Sequence, residues 1–294
     1  MSSAGQWQYA VIAGSQGFRW VSSLAGETRR IEPIKTPFGN SPYLHAIRFG
    51  NVGVVILSRH GERGYEVSAP FVNYRANIWA LKELGVERII AWSGPGAIDR
   101  SISVGEIIVP DDVIDETRRR ESTFYEGLGI GFIRQNPAFC PEIAAKLREV
   151  IVEKQGHCRT GDVYVCTEGP RLETAAEIRK MALYGGTLVG MTVAPEVFLA
   201  RELEICYCPV CYVSNYAEGI AERPYATGEL FEGMLTPDEK AKVDAALALL
   251  PDIILETFIR LPAERRCPCS QSMERYRRRG DVGEDWHTWV NKRA

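Results

Sequence analysis

The sequence predicts an α/β fold in a single domain, with a central mixed β-sheet flanked by helices. Three observations support this prediction. Short apolar runs alternate with segments of helical periodicity as far as residue 260. Several apolar runs end in Gly, Ser or Asn, as strands do where they deliver residues to a ligand site. No low-complexity linker divides the 294 residues, a length that one large domain can accommodate.

The first half of the chain alternates strand and helix signals. Strands are predicted at residues 9–13, 45–49, 52–57, 88–92 and 106–115. The Gly-Asn pair at residues 50–51 is typical of a hairpin turn between the second and third of these strands. Tyr74, Ile78 and Leu81 follow helical spacing, and Gly85 is typical of a helix end.

The second half continues this alternation. Further strands are predicted at residues 162–166, 187–191 and 205–215, and helices from Pro141, Thr174, Pro195 and Thr236. Capping-box patterns mark two of the helix starts, at Thr174 and at Thr236. We expect the last helix to be interrupted near Pro251. Residues 1–261 form the predicted main domain, and residues 262–294 form a basic tail that either covers a neighbouring surface or is partly disordered.

Composition and charge exclude several classes of protein. A net charge of −3 and a pI near 5.9 argue against a general nucleic-acid binder. The basic clusters at residues 118–120 and 277–279 are expected to be solvated faces or partner contacts. No segment approaches the ~20 apolar residues of a membrane span, and the amino terminus lacks a secretion signal. We therefore expect a cytoplasmic protein without nucleic-acid or membrane partners.

The eight cysteines do not predict a metal site. Four of them lie in apolar, strand-like runs and are expected to be small buried hydrophobes: Cys166, Cys206, Cys208 and Cys211. Cys208 and Cys211 have CxxC spacing, but one such pair without a second pair or a nearby His is weak evidence for zinc. Cys267 and Cys269 follow the last helix among Arg and Pro residues, and we expect them to be exposed.

Polar residues follow four of the predicted strands. They are Ser15, Arg59 with His60, Ser93 with Gly94, and Thr192 after Met191. Glycine lets a backbone approach an anion closely, and Arg offers planar, multidentate recognition of phosphate oxygens. If these strand ends meet, the set suits one phosphate and a ribose.

The last predicted strand ends in Ser214 and Asn215. A neutral Asn offers a donor and an acceptor together to the edge of a heterocycle, whereas Asp only accepts at neutral pH. In a nucleoside enzyme, Asn215 would therefore distinguish a 6-oxopurine from a 6-aminopurine.

Several motifs resemble those of a known family. They are RHG (59–61), VNYRANIWALKELG (72–85), FYEG (124–127), TEGPRLET (167–174), GMTVAPEVFLARE (190–202) and YVSNYAEG (212–219). Over residues 8–260 the chain resembles the trimeric purine nucleoside phosphorylases and, more closely, the 5'-methylthioadenosine phosphorylases. The resemblance implies a nucleoside phosphorylase-like catalytic domain that cleaves a purine nucleoside with phosphate as co-substrate, for purine salvage, with no other cofactor and no metal.

The resemblance also implies a role for each site residue. Phosphate would be held by Ser15, Arg59, His60, Ser93, Gly94 and Thr192. The nucleoside would contact Leu172, Met191, Ser214, Asn215 and, from the neighbouring subunit of a homotrimer or dimer of trimers, Phe132. Asn215 and His60 are the expected catalytic residues. Asn215 would accept a hydrogen bond from N7 and donate one to O6 as the departing base gains negative charge.

The sequence departs from the family pattern in two regions: at the residues expected to contact the purine base, and in the carboxyl-terminal tail. Methylthioadenosine phosphorylases carry Asp at the positions of Asn215 and Ala217, so both carboxylates are missing here. Leu172 stands where the family usually has Phe, which leaves an apolar wall without an aromatic face. Cys267 and Cys269 look like a CxC pair that is linked to disulfide chemistry in some thermostable relatives, although two reduced thiols are equally compatible.

Three functions remain open at this point. The first is a phosphorylase of 6-oxopurine nucleosides, either 5'-methylthioinosine or inosine and guanosine, which Asn215 favours. The second keeps 5'-methylthioadenosine as substrate, which overall motif similarity favours. The third is a nucleoside-binding protein without turnover, which is disfavoured because such a protein needs no phosphate site.

Overall fold

Strands and helices alternate along the chain in a computed structural model that describes residues 7–14, 20, 28–223, 227–230 and 233–290. The strands are β1 (Tyr9–Ala13), β2 (Arg29–Ile31), β3 (Lys35–Thr36), β4 (Gly39–Asn40), β5 (Leu44–Phe49), β6 (Val52–Ser58), β7 (Arg88–Ser93), β8 (Gly96–Ala97), β9 (Ile107–Ile108), β10 (Asp112–Glu116), β11 (Val163–Thr167), β12 (Leu188–Gly190), β13 (Cys206–Tyr212) and β14 (Asn215–Tyr216). The α-helices are α1 (Tyr74–Glu83), α2 (Pro141–Gln155), α3 (Ala175–Leu183), α4 (Glu196–Glu202), α5 (Pro237–Arg260) and α6 (Glu274–Arg279).

A seven-stranded sheet forms the centre, in the order β2-β5-β6-β1-β7-β13-β9. Strands β6, β1, β7 and β13 are parallel, whereas β2, β5 and β9 pair antiparallel with their neighbours. The sheet is therefore mixed, and the predicted α/β class is confirmed. The parallel strands are buried almost throughout, as strands covered on both faces are. Their carboxyl ends meet at one edge of the sheet.

A second sheet, in the order β10-β11-β12-β8-β14, adjoins this edge. The predicted strand at 205–215 is in fact two strands, because the Ser214 N–H turns to the Pro95 carbonyl and Asn215 then pairs with Gly96 in the second sheet. The predicted strand at 106–115 is likewise divided: β9 pairs with β13, and β10 pairs with β11. Asn215 consequently lies at the junction of the two sheets.

Helix boundaries follow the predicted capping signals. Thr174 caps α3 and Thr236 caps α5, each in a complete capping box with the Glu three residues later. The expected interruption near Pro251 is wrong, since α5 continues through it to Arg260. Pro251 removes one backbone hydrogen bond, but burial of the neighbouring Leu250, Ile253 and Ile254 outweighs that loss.

The carboxyl-terminal segment, residues 262–290, folds back onto the main domain. Met273, Tyr276 and Trp289 are buried in the same core as the central sheet. The expected exposure of Cys267 and Cys269 is wrong: only 8% and 2% of their surfaces are exposed. A 3-10 turn at Pro268–Gln271 directs this pair of thiols into the protein. None of the described helices is long and apolar enough to cross a lipid bilayer.

Candidate active site

Two predicted site residues from different sheets meet at the carboxyl edge of the central sheet. Ser93 ends β7, and Thr192 follows β12. Their hydroxyl oxygens lie 3.2 Å apart, and the Ser93 hydroxyl is 3.0 Å from that of Tyr164. Gly94 follows in close contact with Tyr212, because a Cβ added at Gly94 would lie 2.6 Å from the Tyr212 ring. The structure thus forms a compact cluster of hydroxyl groups at this strand end.

Arg59 lies beside this cluster in a bidentate ion pair with Glu196. Arg59 Nε donates to Oε1 at 2.6 Å and Nη2 donates to Oε2 at 2.9 Å, while Nη1 donates to the Trp92 carbonyl at 3.1 Å. Both charged side chains are almost fully buried. Burial alone would lower the pKa of Arg59, but Glu196 raises it above its ordinary value. A guanidinium has five N–H donors, so two remain for a ligand.

Glu196 had no assigned role in the sequence, although it lies inside a quoted motif. It also accepts a hydrogen bond from the Tyr207 hydroxyl at 2.8 Å. The pair with Arg59 is neutral as a whole, so the guanidinium is buried without leaving an uncompensated charge in the interior. The available signal was an acidic residue followed directly by the apolar run 197–200, since an acid buried with such a run needs a partner.

The ring of His60 is held in place by a hydrogen bond to a backbone carbonyl. Nδ1 lies 2.8 Å from the Val67 carbonyl oxygen, and because a carbonyl only accepts, Nδ1 carries the proton. Burial and the neighbouring Arg59 lower the pKa of His60 to about 4. The ring is therefore neutral at pH 7, and its Nε2 is an acceptor. Because Nε2 can only accept a hydrogen bond, it suits a hydroxyl of the substrate or of a protonated phosphate better than an unprotonated phosphate oxygen.

Asn215 is buried and its carboxamide has a defined orientation. Nδ2 donates to the Tyr216 carbonyl at 2.7 Å, and the Ser214 hydroxyl lies 2.5 Å from Oδ1. Because the Tyr216 carbonyl only accepts, the amide nitrogen must face it. One N–H of Nδ2 and one lone pair of Oδ1 remain for a ligand. This is the donor and acceptor pair that a 6-oxopurine edge requires.

Ala217, two residues later, faces away from polar groups. It is 5% exposed and packs in a small apolar cluster with Val165, Ile178 and Val189. A carboxylate at this position would lose its hydration in apolar surroundings. The position that carries an acid in methylthioadenosine phosphorylases is therefore built for a small apolar side chain here.

The remaining predicted nucleoside contacts differ in their surroundings. Met191 lies against Gly169, where an added Cβ would come within 2.5 Å of the sulfur, so glycine permits this approach. Leu172 is 36% exposed at the same loop, and Phe132 is 82% exposed. The Phe132 N–H donates to the Tyr276 hydroxyl at 2.7 Å, which anchors the backbone while the ring faces outward.

Among the predicted phosphate-binding residues, Ser15 lies outside the described residues.

Arg120 is a second residue whose role the sequence did not reveal. The sequence predicts that the cluster at 118–120 is a solvated face or a partner contact, but the Arg120 side chain is fully buried within the chain. Nη1 donates to the carbonyls of Met191 and Ala194, both at 2.6 Å, and Nη2 to those of Thr167 and Glu168 at 2.9 and 2.7 Å. Arg120 therefore joins the loops that follow β11 and β12, and so positions Met191.

A buried carboxyl group supports the loop that leads to Phe132. Glu202 accepts hydrogen bonds from the Thr123 hydroxyl at 2.6 Å and from the Phe124 N–H at 2.7 Å. Burial raises the pKa of Glu202 to about 7, and these two hydrogen bonds only partly oppose that shift. The support of this loop therefore depends on pH near neutrality.

Comparison with known proteins identifies the family of the chain. The model of the phosphorylase superfamily matches residues 8–258. The probable S-methyl-5'-thioinosine phosphorylase of Methanothermobacter thermautotrophicus is 43% identical over 248 residues, with 84% of this chain and 83% of that protein covered. The 6-oxopurine nucleoside phosphorylase of Pyrococcus furiosus is 39% identical over 272 residues, with 90% and 97% covered.

Solved structures show the same fold. A methylthioadenosine phosphorylase sourced from an antarctic soil metagenomic library superposes with a TM-score of 0.76 at 27% identity and covers 90% of each chain. The family match over residues 8–258 includes both sheets and the strand ends described above. The chain therefore belongs to the phosphorylase superfamily, in its family of purine nucleoside and methylthionucleoside phosphorylases.

Proposed function

We propose that the protein is a 6-oxopurine nucleoside phosphorylase. It cleaves the N-glycosidic bond of inosine, guanosine or 5'-methylthioinosine with phosphate, and releases the free base and ribose 1-phosphate or its 5-methylthio analogue. The observation that carries this proposal is the buried carboxamide of Asn215, which is held so that one N–H and one lone pair are available. The names of the relatives from Methanothermobacter and Pyrococcus support the same base.

The phosphate is expected to lie between the hydroxyl cluster and Arg59. Ser93, Thr192 and the two remaining N–H groups of Arg59 supply donors at one strand edge. Their function is to position the anion on the face of the ribose opposite the base, where it stabilises the positive charge that develops and then attacks C1'. The neutral Nε2 of His60 accepts from a hydroxyl nearby.

The departing base is stabilised from the other side by Asn215. Oδ1 accepts from a protonated N7, and Nδ2 donates to O6, so both bonds strengthen as negative charge develops on the ring. No protein nucleophile is required. Burial raises the pKa of the nearby Cys166 thiol to about 12, which keeps it protonated and unreactive at pH 7.

The site is completed, in this proposal, by a second copy of the chain. The ring of Phe132 is exposed while its backbone is anchored, as expected for a residue presented to a neighbouring subunit. We propose a homotrimer, alone or as a dimer of trimers, in which Phe132 closes the 5' side of the neighbour's site. Purine salvage in the cytoplasm is the setting that this activity implies.

A nucleoside panel tests the proposal. Release of free base from inosine, guanosine, 5'-methylthioinosine, adenosine and 5'-methylthioadenosine is measured with and without phosphate. We expect release only with phosphate, and a preference of about tenfold or more in kcat/KM for the 6-oxopurines, since two facing donors cost about 1 to 3 kcal/mol. Release without phosphate would indicate a hydrolase. Preference for the adenine compounds would favour the 5'-methylthioadenosine reaction, and binding without turnover would indicate a binding protein.

A further inference from the structure

Four cysteines from distant parts of the chain converge away from the active site. The sulfur atoms of Cys140, Cys206, Cys267 and Cys269 all lie within 4.8 Å of one another. Every one of these residues is buried, with at most 8% of its surface exposed. The remaining four cysteines are not part of the cluster.

Three structural segments supply these thiols. Cys140 is the N-cap of α2, Cys206 is the first residue of β13, and Cys267 and Cys269 flank the start of the 3-10 turn at Pro268–Gln271. Backbone hydrogen bonds fix the first two, because Cys140 N–H donates to the Tyr207 carbonyl at 2.8 Å and Cys206 N–H to the Glu87 carbonyl at 2.9 Å. Two ligands are thus held by the domain, and two are carried by the carboxyl-terminal segment.

The spacing of the sulfurs suits one tetrahedral ion. Four sulfurs bound to Zn²⁺ at about 2.3 Å lie about 3.8 Å from one another. The upper limit of 4.8 Å and the 3.3 Å between Cys206 and Cys267 each differ from this value by about 1 Å or less. Cys206 and Cys267 are 3.3 Å apart, well beyond the about 2.05 Å of a covalent S–S bond. Four mutually close sulfurs match the ligand number of a closed structural zinc site, and two disulfides among them are the competing arrangement that the intact mass tests.

Charge at this site is partly compensated by the protein. Four thiolates around Zn²⁺ carry a net charge of −2. Arg88 is fully buried, lies in register with Cys206 on the neighbouring strand, and its Nε has no hydrogen-bond partner among the described residues. Cys140 lies at the amino-terminal end of the 15-residue helix α2, where the helix dipole favours negative charge. Glu142 opposes this effect in part, at 3.7 Å from Arg88.

We propose that Cys140, Cys206, Cys267 and Cys269 bind one structural Zn²⁺ ion per chain. The thiols release their protons to solvent as they coordinate the ion, without any change of oxidation state. The sequence predicted no metal because its only CxxC pair is Cys208 and Cys211, and neither belongs to the cluster. In the reducing cytoplasm that the sequence predicts, clustered thiols are more typical of metal binding than of disulfides.

The ion fastens the carboxyl-terminal segment to the domain. That segment carries Tyr276, whose hydroxyl holds the backbone of Phe132. Losing the ion is therefore expected to loosen the segment and, through it, the loop that presents the Phe132 ring. None of the four thiols is among the residues proposed for catalysis, so the role of the ion is structural, and it would affect the proposed reaction only through the position of Phe132.

Metal analysis of the full-length protein tests the site. The chain is purified under reducing conditions without a metal-affinity tag, equilibrated in metal-free buffer, and analysed by plasma mass spectrometry. We expect about one zinc per chain, and less than about a tenth of that in Cys267→Ser/Cys269→Ser. The matched control Cys158→Ser, in a half-buried cysteine outside the cluster, retains the zinc.

A second measurement does not depend on the variants folding. Wild-type protein is reduced, freed of metal with a chelator and titrated with Co²⁺, which gives intense visible absorption in a tetrahedral thiolate site. We expect saturation at about one equivalent and displacement by Zn²⁺. A chain that contains no zinc, takes up neither ion after reduction, or has an intact mass showing disulfides among these four cysteines would overturn the proposal.

Discussion

The guanidinium of Arg59 and the carboxylate of Glu196 form a buried bidentate pair at the edge of the central sheet, with N to O distances of 2.6 and 2.9 Å. The two residues are 137 positions apart in the sequence. The pair fixes the plane of the guanidinium, so that its remaining N–H groups have a defined direction before any ligand binds. Arg59 thus contributes to stability through Glu196, in addition to its proposed role in phosphate binding.

Compensating substitutions can separate these roles. Arg59→Met leaves the buried Glu196 carboxylate without its positively charged partner, and we expect it to lower the free energy of unfolding by about 3 to 5 kcal/mol. Arg59→Met/Glu196→Leu should recover most of that loss, because apolar side chains replace both charges. Both variants should require at least about tenfold more phosphate, since a hydrogen bond to a charged group contributes about 1.5 to 3 kcal/mol. Urea unfolding and the KM for phosphate measure the two effects, and a stable double variant with an unchanged KM would exclude Arg59 from the phosphate site.

Base specificity is predicted to change with Asn215→Asp. The substitution replaces a donor to O6 by an acceptor for N6, so the ratio of kcat/KM for adenosine over inosine should rise about tenfold to a hundredfold. Absolute activity should fall as well, because a carboxylate oxygen would face the Tyr216 carbonyl that now accepts from Nδ2. Ser214→Ala is the comparison variant: it removes the hydroxyl at Oδ1 but leaves the carboxamide donor and acceptor of Asn215, so the ratio of kcat/KM for the two nucleosides should change little. Equal losses for adenosine and inosine in Asn215→Asp would contradict the assignment.

Arg120 is predicted to position the loops around Met191. Arg120→Ala removes charged hydrogen bonds to four carbonyls, and we expect a loss of more than about 3 kcal/mol in the free energy of unfolding. The neighbouring Arg119 is exposed, so Arg119→Ala should change stability by less than about 0.5 kcal/mol. At temperatures where Arg120→Ala is folded, the KM for nucleoside should rise, because Met191 is no longer held in position. Similar behaviour of the two variants would show that Arg120 has no such role.

Glu202 is predicted to make stability depend on pH. Its pKa rises from 4.5 to about 7 on folding, so the folded state binds this proton more tightly than the unfolded state. The resulting contribution, up to about 3 kcal/mol, is complete below pH 4.5 and is lost as the pH rises to about 7. Glu202→Gln imitates the protonated form, so it should gain stability relative to wild type between pH 5 and pH 8. If the difference in free energy of unfolding between Glu202→Gln and wild type does not vary over this pH range, the raised pKa of Glu202 is contradicted.

Phe132 is predicted to act on a neighbouring subunit. Its ring is 82% exposed, so Phe132→Ala should leave thermal stability nearly unchanged. If the Phe132 ring contacts the substrate bound by a neighbouring subunit, the KM of Phe132→Ala for nucleoside should rise several-fold, because this apolar contact is lost. Leu183→Ala, at another exposed apolar residue, should leave the KM unchanged. Light scattering that shows an active monomer at the assay concentration would rule out the shared site.

Much of the local structure could be predicted from short stretches of sequence. Capping at Thr174 and Thr236 uses side chains three residues apart, and the hairpin at residues 50–51 depends on a two-residue turn. The sequence predicts that Ser93 and Thr192 each follow a strand, whereas their contact depends on how two different sheets meet. The breaks within 205–215 and 106–115 were not predictable, since each depends on which sheet offers the next pairing partner.

The sequence by itself determined the α/β class, the family and the neutral residue at position 215, because these depend on local periodicity and on residue identity. Only the tertiary structure decided which charges are paired and which thiols meet. Glu196, Arg120 and the four clustered cysteines have partners tens to more than a hundred residues away. Their burial and charge compensation arise when distant segments pack together, and no local pattern encodes such a distance.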